Sequence, residues 1–209
     1  MNPFEGLSDG QKNRLFHLLQ VHIYKYQKSQ EILPTIKFEN IVCIVIKGNA
    51  QIIRFDYNGN ETVLETLSEN SVFGTNISGI NNENCDIIAK EYTEVMVIDY
   101  NTLLNNKNFN YSYFNVFIKN IFNIINSKFK ETNNRMRILE QKTIRDRLLE
   151  YFDIEYKKVF QRTIILPFNL KDLADYLAIN RSAMFRELKS LKEEKFIEVR
   201  GKKIILLTK

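Results

Sequence analysis

The chain has 209 residues, 44% hydrophobic and 26% charged, with a formal net charge of +5 and two cysteines. That composition excludes a disordered chain and leaves room for one large core or two small ones. No window approaches the roughly 18 apolar residues of a membrane span, the N-terminal MNPFEGLSDG carries no apolar signal core, and Cys43 and Cys85 are too few for a disulfide framework.

Together these features point to a reducing, cytoplasmic setting. Charge is unevenly placed. Residues 1–110 carry 9 Lys/Arg against 13 Asp/Glu, a balance of −4, and residues 111–209 carry 21 against 12, a balance of +9. An acidic front and a basic back predict two domains, with a nucleic-acid surface at the back.

Gly6-Leu7-Ser8-Asp9 opens a short helix, with Ser8 as N-cap and Leu15, Leu18 and Leu19 as its apolar stripe. From His22 the rhythm changes to period two. HIYKYQ, EILPTI, IVCIVIK, NAQIIRF and ETVLETL read as short strands, with turn signals at Lys47-Gly48-Asn49-Ala50 and Tyr57-Asn58-Gly59-Asn60. Ser71-Val72-Phe73-Gly74 and the run from Tyr92 to Asp99 continue the series, which predicts an antiparallel sandwich or roll. Cys43, inside IVCIV, reads as a small core residue. Cys85, in the polar stretch NNENCD, reads as the more exposed thiol and a candidate redox site. His17 and His22 read as surface or half-buried histidines rather than iron ligands.

Asn105 to Asn110 is a polar break, after which the period becomes helical. Phe114, Phe117, Ile118, Ile121, Phe122, Ile124, Ile125 and Phe129 form a broad apolar stripe on a predicted helix of about 30 residues. Positions 118, 121, 125, 132 and 139 form a seam for a partner helix, with Lys128 and Arg135 interrupting it. From the stripe and the seam, Phe114, Phe117, Ile118, Ile121, Ile125 and Leu139 are the interface candidates. Thr143 starts a further helix through Ile144, Leu148, Leu149 and Phe152, with Arg145 and Arg147 exposed. Thr163 to Leu166 supplies a small strand.

Asn169 to Lys195 holds two short periodic segments around a tight corner. Leu170, Leu173, Ala174 and Leu177 share one face behind Asn169 as N-cap. The second segment begins at Asn180, with Ala183, Met184, Leu188 and Leu191 inward and Arg181, Ser182, Phe185, Arg186 and Lys189 outward. That is a helix-turn-helix pattern. Phe196 to Val199 and Lys203 to Leu207 flank Arg200-Gly201-Lys202 as a hairpin whose basic tip can reach a phosphate.

The run ADYLAINRSAMFRELKSLKEEKFIEVRGKKIILL resembles the C-terminal winged helix of the Crp/Fnr family of bacterial transcription regulators, through Arg181, Arg186 and the trailing leucine pattern. The front half is similar to that family's sensor domain through Gly48, Asn58-Gly59-Asn60-Glu61, Phe73-Gly74, Ala89 and Thr93-Glu94-Val95. The resemblance implies an α+β chain in three parts. They are an N-terminal antiparallel β-roll (a cyclic-nucleotide-binding-like jelly roll) over residues 1–110, a long dimerisation helix over 111–140 and a winged helix-turn-helix over 141–209, with a hinge near Arg137 to Gln141. It implies a homodimer on an inverted repeat in double-stranded DNA, RNA polymerase as a further partner, and a small-molecule effector of open identity. No catalytic residues, metal or cofactor are expected, hence no enzyme.

Within that frame Arg181 and Arg186 are assigned base or near-base contacts, assisted by Ser182, Phe185 and Lys189, with Asn169, Lys171 and Lys202 as phosphate contacts. Ser182 departs from the family, many of whose members carry Glu there. Phe73, Gly74, Thr75 and Glu83 mark the effector pocket, and it departs too. Thr75 stands where cyclic-nucleotide binders place Glu, and Glu83 stands about where they place a phosphate-binding Arg. A carboxylate repels a phosphate, so no cAMP or cGMP binding is expected. An iron–sulfur cluster needs four thiolates and is not expected either. The competing reading is a ligand-binding module that acts through protein contacts; the basic outward face argues against it.

Overall fold

The computed structural model describes residues 1–32, 40–59, 61–74, 85–167 and 169–207, with the backbone alone at residues 106 and 171. The chain divides into two compact units, Met1–Ser127 and Lys128–Lys209. The first opens with α1 (Asp9–Leu18), started by a reciprocal capping box in which Ser8 Oγ accepts from the Gln11 amide and the Gln11 side chain accepts from the Ser8 amide.

Seven strands follow: β1 (His22–Tyr26), β2 (Ile41–Lys47), β3 (Ala50–Phe55), β4 (Glu61–Leu67), β5 (Val72–Gly74), β6 (Cys85–Ala89) and β7 (Thr93–Asp99). Among the described residues they form two antiparallel sheets, ordered β1-β7-β2-β5 and β4-β3-β6. β2 carries an unbroken apolar run because both of its faces are covered. Ile41, Cys43 and Val45 join Ile52, Leu67, Phe73, Ile87 and Val95 in a core supplied by both sheets. Val42 and Ile44 point the other way, into a second core with Leu15, Leu19, Met96, Phe114 and Phe117.

Two glycines are required by close approach. A Cβ at Gly48 (φ +83°) would stand 2.2 Å from the Tyr92 carbonyl oxygen, and one at Gly74 would stand 2.3 Å from that of Ile41. The first packs the β2–β3 turn onto the Tyr92–Thr93 corner, where Thr93 Oγ1 donates to the carbonyls of Asn49 and Glu91.

Cys85 corrects an expectation. It opens β6, a strand that polar NNENCD did not advertise, and it is 2% exposed beside Ile87 and Ala89 on the inward face. Cys43 is fully buried, and burial holds its thiol well above the ordinary range. Both thiols are thus withheld from solvent, which removes the basis for a Cys85 redox site. His17 and His22 are exposed.

After α2 (Tyr100–Leu103) the polar break is a 3-10 turn, Asn106–Asn110, anchored by Asn108 donating to the Thr102 carbonyl at 2.8 Å. α3 then runs from Ser112 to Leu139, 28 residues. Its apolar stripe divides. Phe114, Phe117, Ile121 and Ile124 are buried in the first unit's own core, whereas Phe122, Phe129 and Met136 are 63%, 64% and 53% exposed. The second unit holds the last turns of α3, then α4 (Ile144–Val159), β8 (Thr163–Ile165), α5 (Leu170–Tyr176), α6 (Arg181–Glu193), β9 (Ile197–Arg200) and β10 (Lys203–Leu206). Its strands form an antiparallel sheet ordered β8-β10-β9, around a core that includes Ile138, Leu148, Phe152, Leu173, Met184, Leu188 and Ile204.

Candidate nucleic-acid interface

Asn169 precedes α5 and caps it, its side chain accepting from the Asp172 amide at 3.0 Å. The helix ends in a Schellman turn with alanine in place of glycine. Ala178 sits at φ +51°, its amide bonded to the Asp175 carbonyl and the Ile179 amide to that of Ala174. Two residues later Asn180 caps α6, accepting from the Ala183 amide at 3.2 Å. Leu173, Ala174, Leu177, Met184, Leu188 and Leu191 close the corner from inside, the inner faces expected from their spacing.

The outward face of α6 presents Arg181, Ser182, Phe185, Arg186 and Lys189, every one exposed. Their environments differ. The Arg181 guanidinium donates to Asp175 on α5 at 2.7 Å, which holds its charge more firmly and orients it across the corner. Ser182 Oγ donates to the Asn180 side chain at 2.6 Å, and Lys189 lies 3.7 Å from Glu193. Among the described residues nothing pairs with Arg186.

The β9–β10 hairpin turns at Gly201 (φ +61°), with Lys202 and Lys203 exposed and Arg200 donating to Glu198 at 2.6 Å. Asn169 is exposed at the start of α5. Lys171 lies in α5, and its side chain is outside the description. In the first unit Phe73 is 1% exposed and fills the inter-sheet core, and Gly74 ends β5. Thr75 and Glu83 lie outside the described residues.

Two arginines of α4 overturn an expectation. Arg145 and Arg147, read as exposed, are half-buried and occupied within the unit. Arg145 grips Glu194 with two bonds of 2.8 and 2.5 Å, reaches Glu187 at 3.2 Å, and lies 5.3 Å above the Phe196 ring. This fastens α4 to the far end of α6 and pulls the Glu194 carboxyl down to about 2. Arg147 bonds only main-chain carbonyls. Nothing in an i, i+4 pattern announces either role, because every partner lies on another element or in a connecting turn.

The turn from α3 to α4 also makes contacts within the unit. Ile138 is 1% exposed in the second unit's core, and Arg137 pairs with Glu150 at 2.5 Å. Residues Arg137 to Gln141, where a hinge is expected, lie inside the second unit.

Comparison with known proteins gives a match for each half. Residues 25–106 match the cyclic nucleotide-binding domain family, and residues 144–209 match the Crp-like helix-turn-helix domain family. The ycf28 protein of Porphyra purpurea, whose name assigns it to the HTH-type transcriptional regulators, is 27% identical over 78% of this chain and 69% of its own length. The Thermus thermophilus catabolite activator protein is similar in structure, with TM-score 0.54 and 16% identity over 98% of this chain and 92% of that one. A CooA variant from Carboxydothermus hydrogenoformans gives TM-score 0.57 and 19% identity over 98% and 88%. At these identities the structural likeness speaks for the fold.

Proposed function

The chain belongs to the Crp/Fnr family of DNA-binding transcription regulators, and from that premise we propose that it binds an inverted-repeat operator as a homodimer and does not answer to cAMP. The family's members are regulators, not enzymes. The observation that carries the reading is the outward face of α6. Its basic and hydroxyl side chains stand exposed while the opposite face is packed, so the helix is free to enter a major groove N-terminus first.

Arg181 and Arg186 then read base edges, Ser182 and Lys189 assist, and Phe185, 44% exposed, offers an apolar surface suited to a thymine methyl. Asn169, Lys171 and Lys202 take phosphates and set the register.

Dimerisation runs along α3. Phe122, Phe129 and Met136 recur at seven-residue intervals, and with Ile118, Ile125, Thr132 and Leu139 they make up the four–three alternation of a coiled-coil seam. Phe114, Phe117 and Ile121 belong to the protomer's own core and drop out of the interface. Two protomers joined this way present successive recognition helices about 34 Å apart. The cyclic-nucleotide part rests on sequence, through Thr75 and Glu83. The protein would work in the cytoplasm, acting on transcription through contact with RNA polymerase.

The deciding experiment selects bound DNA from a random pool with purified protein and no added ligand. Recovery of an inverted repeat is the expected result. Enrichment of nothing, or of single half-sites from a monomeric protein, would overturn the dimeric operator reading.

A further inference from the structure

The guanidinium of Arg147 is spent on four main-chain carbonyls. Nε donates to Gln141 at 3.0 Å, Nη1 to Leu177 at 3.2 Å and Ala178 at 3.1 Å, and Nη2 to Leu139 at 3.2 Å. Leu139 is the last residue of α3, and Gln141 lies in the turn to α4. Leu177 and Ala178 form the corner that ends α5 and leads into the recognition helix.

The last carbonyls of a helix lack partners within it and carry the negative end of its dipole. Here the ends of two helices converge on one planar cation, whose forked donors serve both at once. A lysine in the same place keeps the charge but lacks the fork. Two contacts reinforce the same joint. Arg137 pairs with Glu150 at 2.5 Å, and Arg135 lies 5.5 Å from the Tyr176 ring centre at the end of α5.

We propose that Arg147 is a positioning residue that locks the helix-turn-helix corner to the last turns of α3. It thereby sets the separation and orientation at which two recognition helices meet DNA. The inference rests on the dimeric reading above, because only in a dimer joined along α3 does the angle between α3 and the corner become a distance between half-sites. Arg147 touches no DNA in this account. Its loss alters geometry and leaves the chemistry of base contact in place.

The test compares wild type, Arg147→Lys and Arg147→Gln on a single half-site and on inverted repeats whose spacing changes one base pair at a time. Wild type is expected to favour one spacing. Both variants should bind the single half-site as wild type does, yet discriminate among spacings about tenfold less, the worth of one charge-assisted hydrogen bond. A role in stability alone would lower the melting temperature and leave the spacing profile intact. A folded, dimeric variant with the wild-type profile therefore overturns the clamp. Wild type indifferent to spacing overturns the dimeric reading, a separate failure.

Should the variants not fold, the wild-type protein still decides. In nuclear magnetic resonance the Arg147 Nε–H should exchange slowly with solvent, as a bonded donor does. Exchange at the rate of a free arginine would refute the assignment.

Discussion

Arg186 and Arg181 stand on the same exposed face, and their surroundings give them different duties. Arg181 is already oriented by Asp175, whereas Arg186 has no partner among the described residues and is available for a base. Replacing Arg186 with alanine should cost about 1–3 kcal/mol of operator affinity and relax selectivity at one base pair. Titrating the variant against operators mutated singly checks this; an unchanged preference at every position would remove Arg186 from base reading.

Glu194 makes a residue-scale prediction about pH. Its carboxyl is lowered to about 2, first by the hydrogen bond from Arg145 and then by that from Ser190. A group depressed in the folded state stabilises above its unfolded value, and that contribution fades as pH falls from about 4.5 towards about 2. Glu194→Gln should therefore melt below wild type at neutral pH, with the gap closing across that acid window. A gap constant with pH would mean that the Arg145–Glu194 pair contributes nothing through charge.

At the scale of elements, α3 shows how one apolar stripe serves two purposes. Phe117 is fully buried against β2 and β7 residues, and truncating it to alanine should cost about 3–5 kcal/mol of folding stability. Phe129 is 64% exposed, so Phe129→Asp should leave the fold within about 0.5 kcal/mol while introducing paired charges into the proposed seam. Light scattering should then report a monomer with normal circular dichroism. A dimer that survives the change would place the interface elsewhere.

α1, α5 and α6 close in Schellman turns with Gln20, Ala178 and Lys195 at positive φ, and α4 closes with Phe160 at φ +52°. Helix starts were legible from Ser8, Thr143, Asn169 and Asn180. Stops were not, because the chain holds only 7 glycines and uses other residues where glycine would signal a C-terminus. Each such residue accepts a left-handed backbone at a cost of about 1 kcal/mol, offset by the bonds the turn completes.

For the whole molecule, the proposed insensitivity to cyclic nucleotides is open to direct measurement. Calorimetric titration of the protein with cAMP and with cGMP should show no binding tighter than millimolar. Micromolar binding would show that other groups in the front domain hold the phosphate despite Glu83, and would restore a cyclic-nucleotide role.

Sequence alone determined what depends on local pattern. The strand runs that start at His22, Ile41, Ala50, Glu61, Val72 and Thr93, the 3.6-residue spacing inside Leu170–Leu191 and the N-cap residues are each dictated by neighbours a few positions away, and they reappear, whereas residues 33–36 of the expected strand EILPTI lie outside the described residues. IVCIVIK could be read as a strand, but only packing shows why it is apolar throughout, since β2 is covered on both faces. The same holds for Cys85, which a polar neighbourhood marked as exposed and a paired strand buries. Tertiary structure also decided which aromatic residues of α3 the protomer keeps for itself and which it leaves bare. It decided the fate of Arg145 and Arg147, whose partners lie on other elements at separations of up to 49 residues. Charge on a helix face is legible from one sequence; whether that charge is spent inside the fold or kept for DNA depends on what the rest of the chain brings against it.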